Sequence, residues 1–159
     1  MTYSLSDLTK ITGAKRRSVQ FWAECGAILA DKDTERAGTG THRRFSRDEA
    51  MVSCVIAYFA QMHVELPQLT DLAAKFREML PGIRHFVEQA ISDEMVVYLI
   101  VQDRPQGVRM GTAGCRRDDP EEKHIDVDRT IGRFATEHLH EPDSGAIIMA
   151  LNTHLAALR

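Results

Sequence analysis

Eight side chains carry the chemistry most open to reading in this sequence. Lys15, Arg16, Arg17, Ser18 and Gln20 lie together, and His42, Arg43 and Arg44 follow after a polar stretch. Lys and Arg neutralise phosphate and donate to guanine O6 and N7, Gln pairs through its amide with adenine, and a Ser hydroxyl serves as donor or acceptor. A charged run is most often a solvated face. These residues acquire a role only from the elements that hold them.

Those elements are legible from residue 4 to 46. A first helix starts at Ser4 or Ser6; Ser4 with Asp7 three positions on is a capping-box-like signal. Leu5, Leu8 and Ile11 recur at helical spacing and face the core. Gly13 allows a tight turn. A second helix follows over residues 15–25, with Val19, Trp22 and Ala23 on one stripe and Lys15, Arg16 and Gln20 near the other side; Gly26 fits its end. Residues 27–29 read as a short apolar strand. Residues 31–41 are polar, with Gly38 and Gly40, and suit a hairpin tip whose return strand is 43–45. The sequence therefore predicts helix, turn, recognition helix and wing.

The rest of the chain is less sharply marked. Ser46 with Glu49 is a capping box opening a third helix that ends near His63. Pro67 suits the first turn of a fourth, carrying Leu69, Leu72, Ala73, Phe76 and Leu80 on one face. Pro81 and Gly82 predict a break. Ile83, Phe86, Val87, Ala90 and Ile91 then form a short amphipathic helix, a surface for dimerisation or interdomain contact. Residues 95–101 and 108–112 are expected as paired strands around a turn at 104–107. A charged loop at 116–123, a helix from about Asp128, a turn at 142–145 and a strand at 146–151 follow. Asn152 is expected to cap a last helix through Leu158. The fold class is thus α+β: a mostly helical winged helix-turn-helix over residues 1–80, a connecting helix over 81–92, and a small mixed α+β domain over 93–159 for dimerisation or effector binding.

By Ser46 the order of motifs resembles the MerR family of winged-helix regulators, over residues 3 to about 77. Tyr3, Ser4, Leu5 and Leu8 sit where that family has its first-helix core, and Thr12-Gly13 matches its turn. Arg17-Ser18-Val19 followed by Phe21-Trp22 matches the recognition helix, with Trp22 where tyrosine is usual. Glu24-Cys25-Gly26 matches its Glu-x-Gly ending, and His42-Arg43-Arg44-Phe45-Ser46 is similar to the wing signature. Leu69 to Leu72 falls where the fourth helix begins. The resemblance implies a homodimer that binds a two-fold double-stranded DNA site, often in a promoter and so beside RNA polymerase, and bends or untwists it. Lys15, Arg16, Arg17, Ser18 and Gln20 would then face base edges. His42, Arg43 and Arg44 would contact phosphate or the minor groove. The family's long coiled-coil dimerisation helix is replaced here by Pro81-Gly82 and a short segment. Dimerisation then falls to the appended domain. The family's metal sensors carry paired cysteines around that helix, and Cys25, Cys54 and Cys115 are not so placed.

Composition sets bounds. The net charge of -3 does not suggest a nucleic-acid binder, but the charge is uneven: residues 1–50 hold 9 Lys/Arg against 7 Asp/Glu, and residues 81–159 hold 9 against 13. A basic face acts on DNA within about a Debye length of ~8–10 Å, so its local density counts. No apolar run approaches ~18 residues. No signal peptide is evident, and the cysteines read as free thiols of a cytoplasmic protein.

Other constellations are weak. His138-x-His140 with His124 or Cys115 lacks metal-site spacing. Asp118, Asp119, Glu121 and Glu122 read as a solvated loop. Residues 110–115, Met-Gly-Thr-Ala-Gly-Cys, lack the Gly-Lys-Ser/Thr ending of a phosphate loop. No metal, no cofactor and no enzyme activity are expected; a small-molecule effector at the C-terminal domain has no polar constellation to name it. Two rival functions use the same head. One is a DNA-bending architectural or phage-type protein, excisionase- or terminase-like; the other is a winged-helix protein-interaction module.

Overall fold

A computed structural model describes residues 2–34, 42–102, 108–116, 118 and 146–159. Over these the chain is mixed α+β, with two small sheets. It divides into two compact units, residues 1–80 with Leu158 and residues 81–157 with Arg159.

The first unit begins with two strands that each run straight into a helix. Strand β1 (Thr2–Ser4) leads into α1 (Leu5–Thr12), and after helix α2 (Arg16–Glu24) strand β2 (Arg44–Ser46) leads into α3 (Arg47–Gln61). β1 and β2 pair antiparallel, Tyr3 opposite Phe45. The last residue of each strand is the serine that caps the next helix. Ser4 Oγ accepts from Asp7 N at 3.2 Å while Asp7 Oδ2 accepts from Ser4 N at 2.9 Å, a complete capping box with aspartate in place of glutamate. Ser46 Oγ accepts from Glu49 N at 3.1 Å. Gly13 takes φ +67° between α1 and α2, and Gly26 takes φ +79° after α2, so both turns use the left-handed backbone glycine allows.

Helix α3 is buried on nearly every side: residues 49 to 57 are without exception inaccessible or nearly so. A helix apolar all round belongs in the middle of a unit, and Leu8, Val19, Trp22, Ile28, Phe45, Leu69, Phe76 and Leu80 complete the core. Of the expected first-helix stripe Leu8 is fully buried, while Leu5 and Ile11 are half-buried.

Three expectations are corrected here. Residues 27–29 form no strand; they are a loop, pinned because Leu29 N donates to Glu49 Oε2 at 2.8 Å and Arg77 Nη2 donates to Ala27 O at 2.7 Å. β2 accordingly takes β1 as its partner, and residues 31 to 44 are joined by Asp31 N to Arg44 O at 2.7 Å and Arg44 N to Thr34 Oγ1 at 2.9 Å. Glu49 does not complete its capping box, because its carboxylate is committed to Leu29 and Arg77. The break at Pro81-Gly82 is absent: α4 is one helix, Leu66–Ser92, with Pro81 inside it. Pro81 lacks the N–H that would bond to Arg77 O, at a cost of about 3 kcal/mol. Burial of Phe76 and Leu80 before it and of Val87 and Ile91 after it outweighs that at about 1.5–3 kcal/mol each. The boundary between the two units falls at this proline.

In the second unit β3 (Met95–Gln102) is the middle strand of a three-stranded antiparallel sheet, flanked by β4 (Arg109–Arg116) and β5 (Ala146–Ala150). All three strands were expected, and the β3–β4 pairing with them. Leu99 stands opposite Thr112 on one side and Met149 on the other. Helix α5 (Leu151–Leu155) and a 3-10 turn, Ala156–Leu158, close the chain. Asn152 does not cap α5, whose N-cap is Ala150. It is buried instead, accepting from Val97 N at 2.8 Å and donating to Ala90 O at 3.1 Å and to Met95 O. The turns at 104–107 and 142–145, the helix from Asp128 and most of the charged loop lie outside the described residues.

Candidate nucleic-acid interface

Helix α2 is oriented by two residues. Val19 is fully buried and Trp22 is 5% exposed, which turns Arg16, Arg17 and Gln20 outward. Phe21, next to Trp22, is 49% exposed and so takes no part in the core.

The first turn of α2 is built against its own stability. Its N-cap is Lys15, whose side chain makes no cap bond, and the turn holds no acidic residue. Lys15, Arg16 and Arg17 instead set three cations at the positive end of the helix dipole. Each costs about 0.3–1 kcal/mol there. Burial of Val19 and Trp22, at about 1.5–3 kcal/mol each, holds the helix in place regardless. The helix dipole and three cations together favour anions at this end.

Two open grooves flank this helix. The first, of about 460 Å³, lies between α2 and the approach to β2 and brings together Arg16, Gln20, His42, Arg43 and Arg44, with Ser4 and Ser6 on its wall. The second, of about 620 Å³, is lined by Lys15, Arg17, Ser18, Gln20 and Phe21. All eight residues singled out from the sequence therefore lie on these two faces, and Gln20 belongs to both. Lys15, Arg16, Arg17, Gln20, His42 and Arg44 are exposed; Ser18 and Arg43 are half-buried. Among the described residues, no side-chain hydrogen bond or ion pair engages Lys15, Arg16, Arg17, Arg43 or Arg44. Of these, Arg44 acts on Asp7, at the start of α1, at a distance. Its carboxyl is held below the usual carboxylate range by the backbone and hydroxyl of Ser4, with Lys10 and Arg44 adding to the effect.

Glu24 was not singled out from the sequence as a site residue. It is exposed, lines both grooves, and its carboxylate accepts from Gln20 Nε2 at 2.8 Å. The signal was present in the spacing: Arg16, Gln20 and Glu24 stand at i, i+4 and i+8, one stripe of the helix.

Among the described residues, the reactive side chains elsewhere are not gathered into a metal-binding cluster. Cys54 is buried and its thiol is pushed up to about 12 by that burial, which keeps it protonated. Among the described residues no group of three His, Cys, Asp or Glu could hold a metal ion; His124, His138 and His140 lie outside them. No described helix is long and apolar enough to cross a membrane. No family model matches the chain, and no curated protein matches it.

Proposed function

We propose that this chain is a sequence-specific DNA-binding transcriptional regulator. It docks α2 in the major groove as the recognition helix of a winged helix-turn-helix, with His42, Arg43 and Arg44 as the wing's contacts to phosphate or the minor groove. The observation that carries this is the set of five cations on two adjoining grooves beside Gln20, none committed to a protein partner among the described residues. Uncommitted Arg and Lys around an outward-facing polar stripe suit a surface that takes both phosphates and base edges. An enclosed reaction site would need convergent groups, and these side chains line open surface.

The proposal includes a homodimer on a two-fold operator. Two copies of α2 would then enter successive major grooves about 34–36 Å apart. The continuous α4 supports a pairing role for its second half, where Phe86 is 43% exposed. The sheet of the second unit is the other candidate for pairing or for an effector.

Binding of the full chain to duplex fragments, titrated against salt, tests the proposal. Affinity should fall steeply as salt rises, with log K linear in log salt. A genome-wide binding map would place the sites at promoters. Sites confined to one attachment or packaging locus would favour an architectural role, and salt-independent or absent binding would leave a protein-interaction module.

A further inference from the structure

Resting on the reading that α2 enters the major groove, we propose that Glu24 is the selector for amine-bearing bases. Its carboxylate, with Gln20, accepts from cytosine N4 or adenine N6 and rejects guanine and thymine at one position of the site.

Glu24 shares one helical stripe and one groove with Arg16 and Gln20. An anion at this place is costly for a protein that binds phosphates, since it repels every duplex alike. Its carboxylate is not neutralised by the nearby cations: among the described residues its one hydrogen-bond partner is Gln20. That bond fixes the amide. Gln20 Nε2 turns one of its two protons toward Glu24, so Gln20 keeps one donor and its acceptor Oε1 for a base, while Glu24 offers acceptors alone. A carboxylate has no donor to offer. In the major groove only adenine N6 and cytosine N4 donate, while guanine presents N7 and O6 and thymine presents O4 and a methyl group. The acceptor-only carboxylate of Glu24 therefore sorts bases by whether they carry an exocyclic amine. Arg16, two turns earlier, has the opposite preference and suits guanine. The stripe thus reads donor, then acceptors, along one strand of contacts.

The signature is opposite in sign to that of the surrounding arginines. Loss of Glu24 raises affinity for arbitrary duplex and lowers discrimination. As an exposed i, i+4 partner it adds little to helix stability, so Glu24→Ala remains folded.

The test measures binding of the full chain to its selected duplex carrying each of the four bases at each position, at fixed salt. Wild type, Glu24→Ala, Glu24→Gln and Arg16→Ala are compared. In Glu24→Ala the preference for A or C over G or T at one position, roughly 10- to 100-fold in wild type, disappears, and random duplex binds more tightly. Glu24→Gln keeps adenine and newly admits guanine. Arg16→Ala alters a different position. If Arg16→Ala changes the base ranking while Glu24→Ala leaves it intact, groove docking stands and the selector assignment is overturned. If wild type binds no duplex, the docking reading and the selector assignment are overturned together.

Discussion

Glu49 and Arg77 form a two-pronged ion pair across the first unit. Arg77 Nε donates to Glu49 Oε1, and Arg77 Nη2 donates to Glu49 Oε2 at 3.0 Å and to Ala27 O at 2.7 Å. The same carboxylate accepts from Leu29 N at 2.8 Å. The pair therefore joins α3 to α4 and fastens to both the loop that follows α2. The Glu49 and Arg77 side chains are 9% and 21% exposed, so solvent screens the pair little. Removing one member leaves the other charge buried, at a cost of about 3–5 kcal/mol. Arg77→Met should lower stability by that order, read as a shift in the urea midpoint. Arg77→Lys should recover only part of it, because an ammonium cannot reproduce the planar fork. Equal stability of Arg77→Lys and wild type would show that the geometry carries no weight.

In the proposed docking, Arg44 and Arg16 separate two kinds of contact to DNA. Arg44 lies on β2 and Arg16 on α2, though both line one groove. Replacing a phosphate contact weakens every sequence alike and reduces the salt slope by about 0.9. Replacing a base reader costs about 1–3 kcal/mol at one position and leaves others in rank order. Arg44→Ala is expected to do the first and Arg16→Ala the second, measured by anisotropy over a salt series. Unchanged affinity in both variants would rule out this docking geometry.

Asp7 gives the first unit an acid-sensitive end. Its folded pKa is held below the ordinary carboxylate value, chiefly through the hydrogen bond from the Ser4 backbone. The unfolded chain thus binds the proton more readily. The contribution is fully present above the unfolded value and is lost as pH falls through the folded one. Asp7→Asn removes it. The melting temperatures of variant and wild type should differ at pH 6 and converge as pH falls through the lowered folded value. A gap that stays constant over that range would mean that Ser4 holds the neutral side chain equally well.

How much of this was legible depended on whether a local signal existed. Ser4 with Asp7 and Ser46 with Glu49 marked helix starts, and the β-branched run around Val96 and Ile100 marked a strand. All of these depend on neighbours in sequence. What failed depended on distance. Nothing near residue 28 shows that Glu49 and Arg77 will satisfy the backbone there, so an apolar triplet read as a strand. Pro81 reads as a breaker, yet tertiary burial along α4 outweighs one missing hydrogen bond. His63 and Asp93 take positive φ, 62° and 67°, at the ends of α3 and α4 without a glycine to announce them. That the candidate residues share two adjoining faces was legible because their cations cluster in sequence. The place of Glu24 in both grooves was not legible, because a lone carboxylate among arginines looks like an ordinary surface charge.

Asn152 offers the sharpest test of the second unit. The sequence placed it as a helix cap; its amide instead ties the end of α4 to β3, through Ala90 O, Met95 O and Val97 N, and touches Asp93 Oδ1 at 3.3 Å. At 7% exposure, little water can replace these bonds. Asn152→Ala leaves a buried N–H and carbonyls unsatisfied, at about 1–3 kcal/mol for each group that stays dry. Asn152→Asp keeps the shape but turns a donor into a carboxylate facing two carbonyls and another acid. Near neutral pH it should be at least as damaging as Asn152→Ala. Burial and the neighbouring Asp93 both favour the protonated acid, whose O–H can donate again. The deficit of Asn152→Asp should therefore shrink as pH is lowered from 7 toward 5, while that of Asn152→Ala stays level. Denaturant titrations of the two variants at both pH values read this directly, and parallel pH responses would show that the amide's donor role contributes nothing.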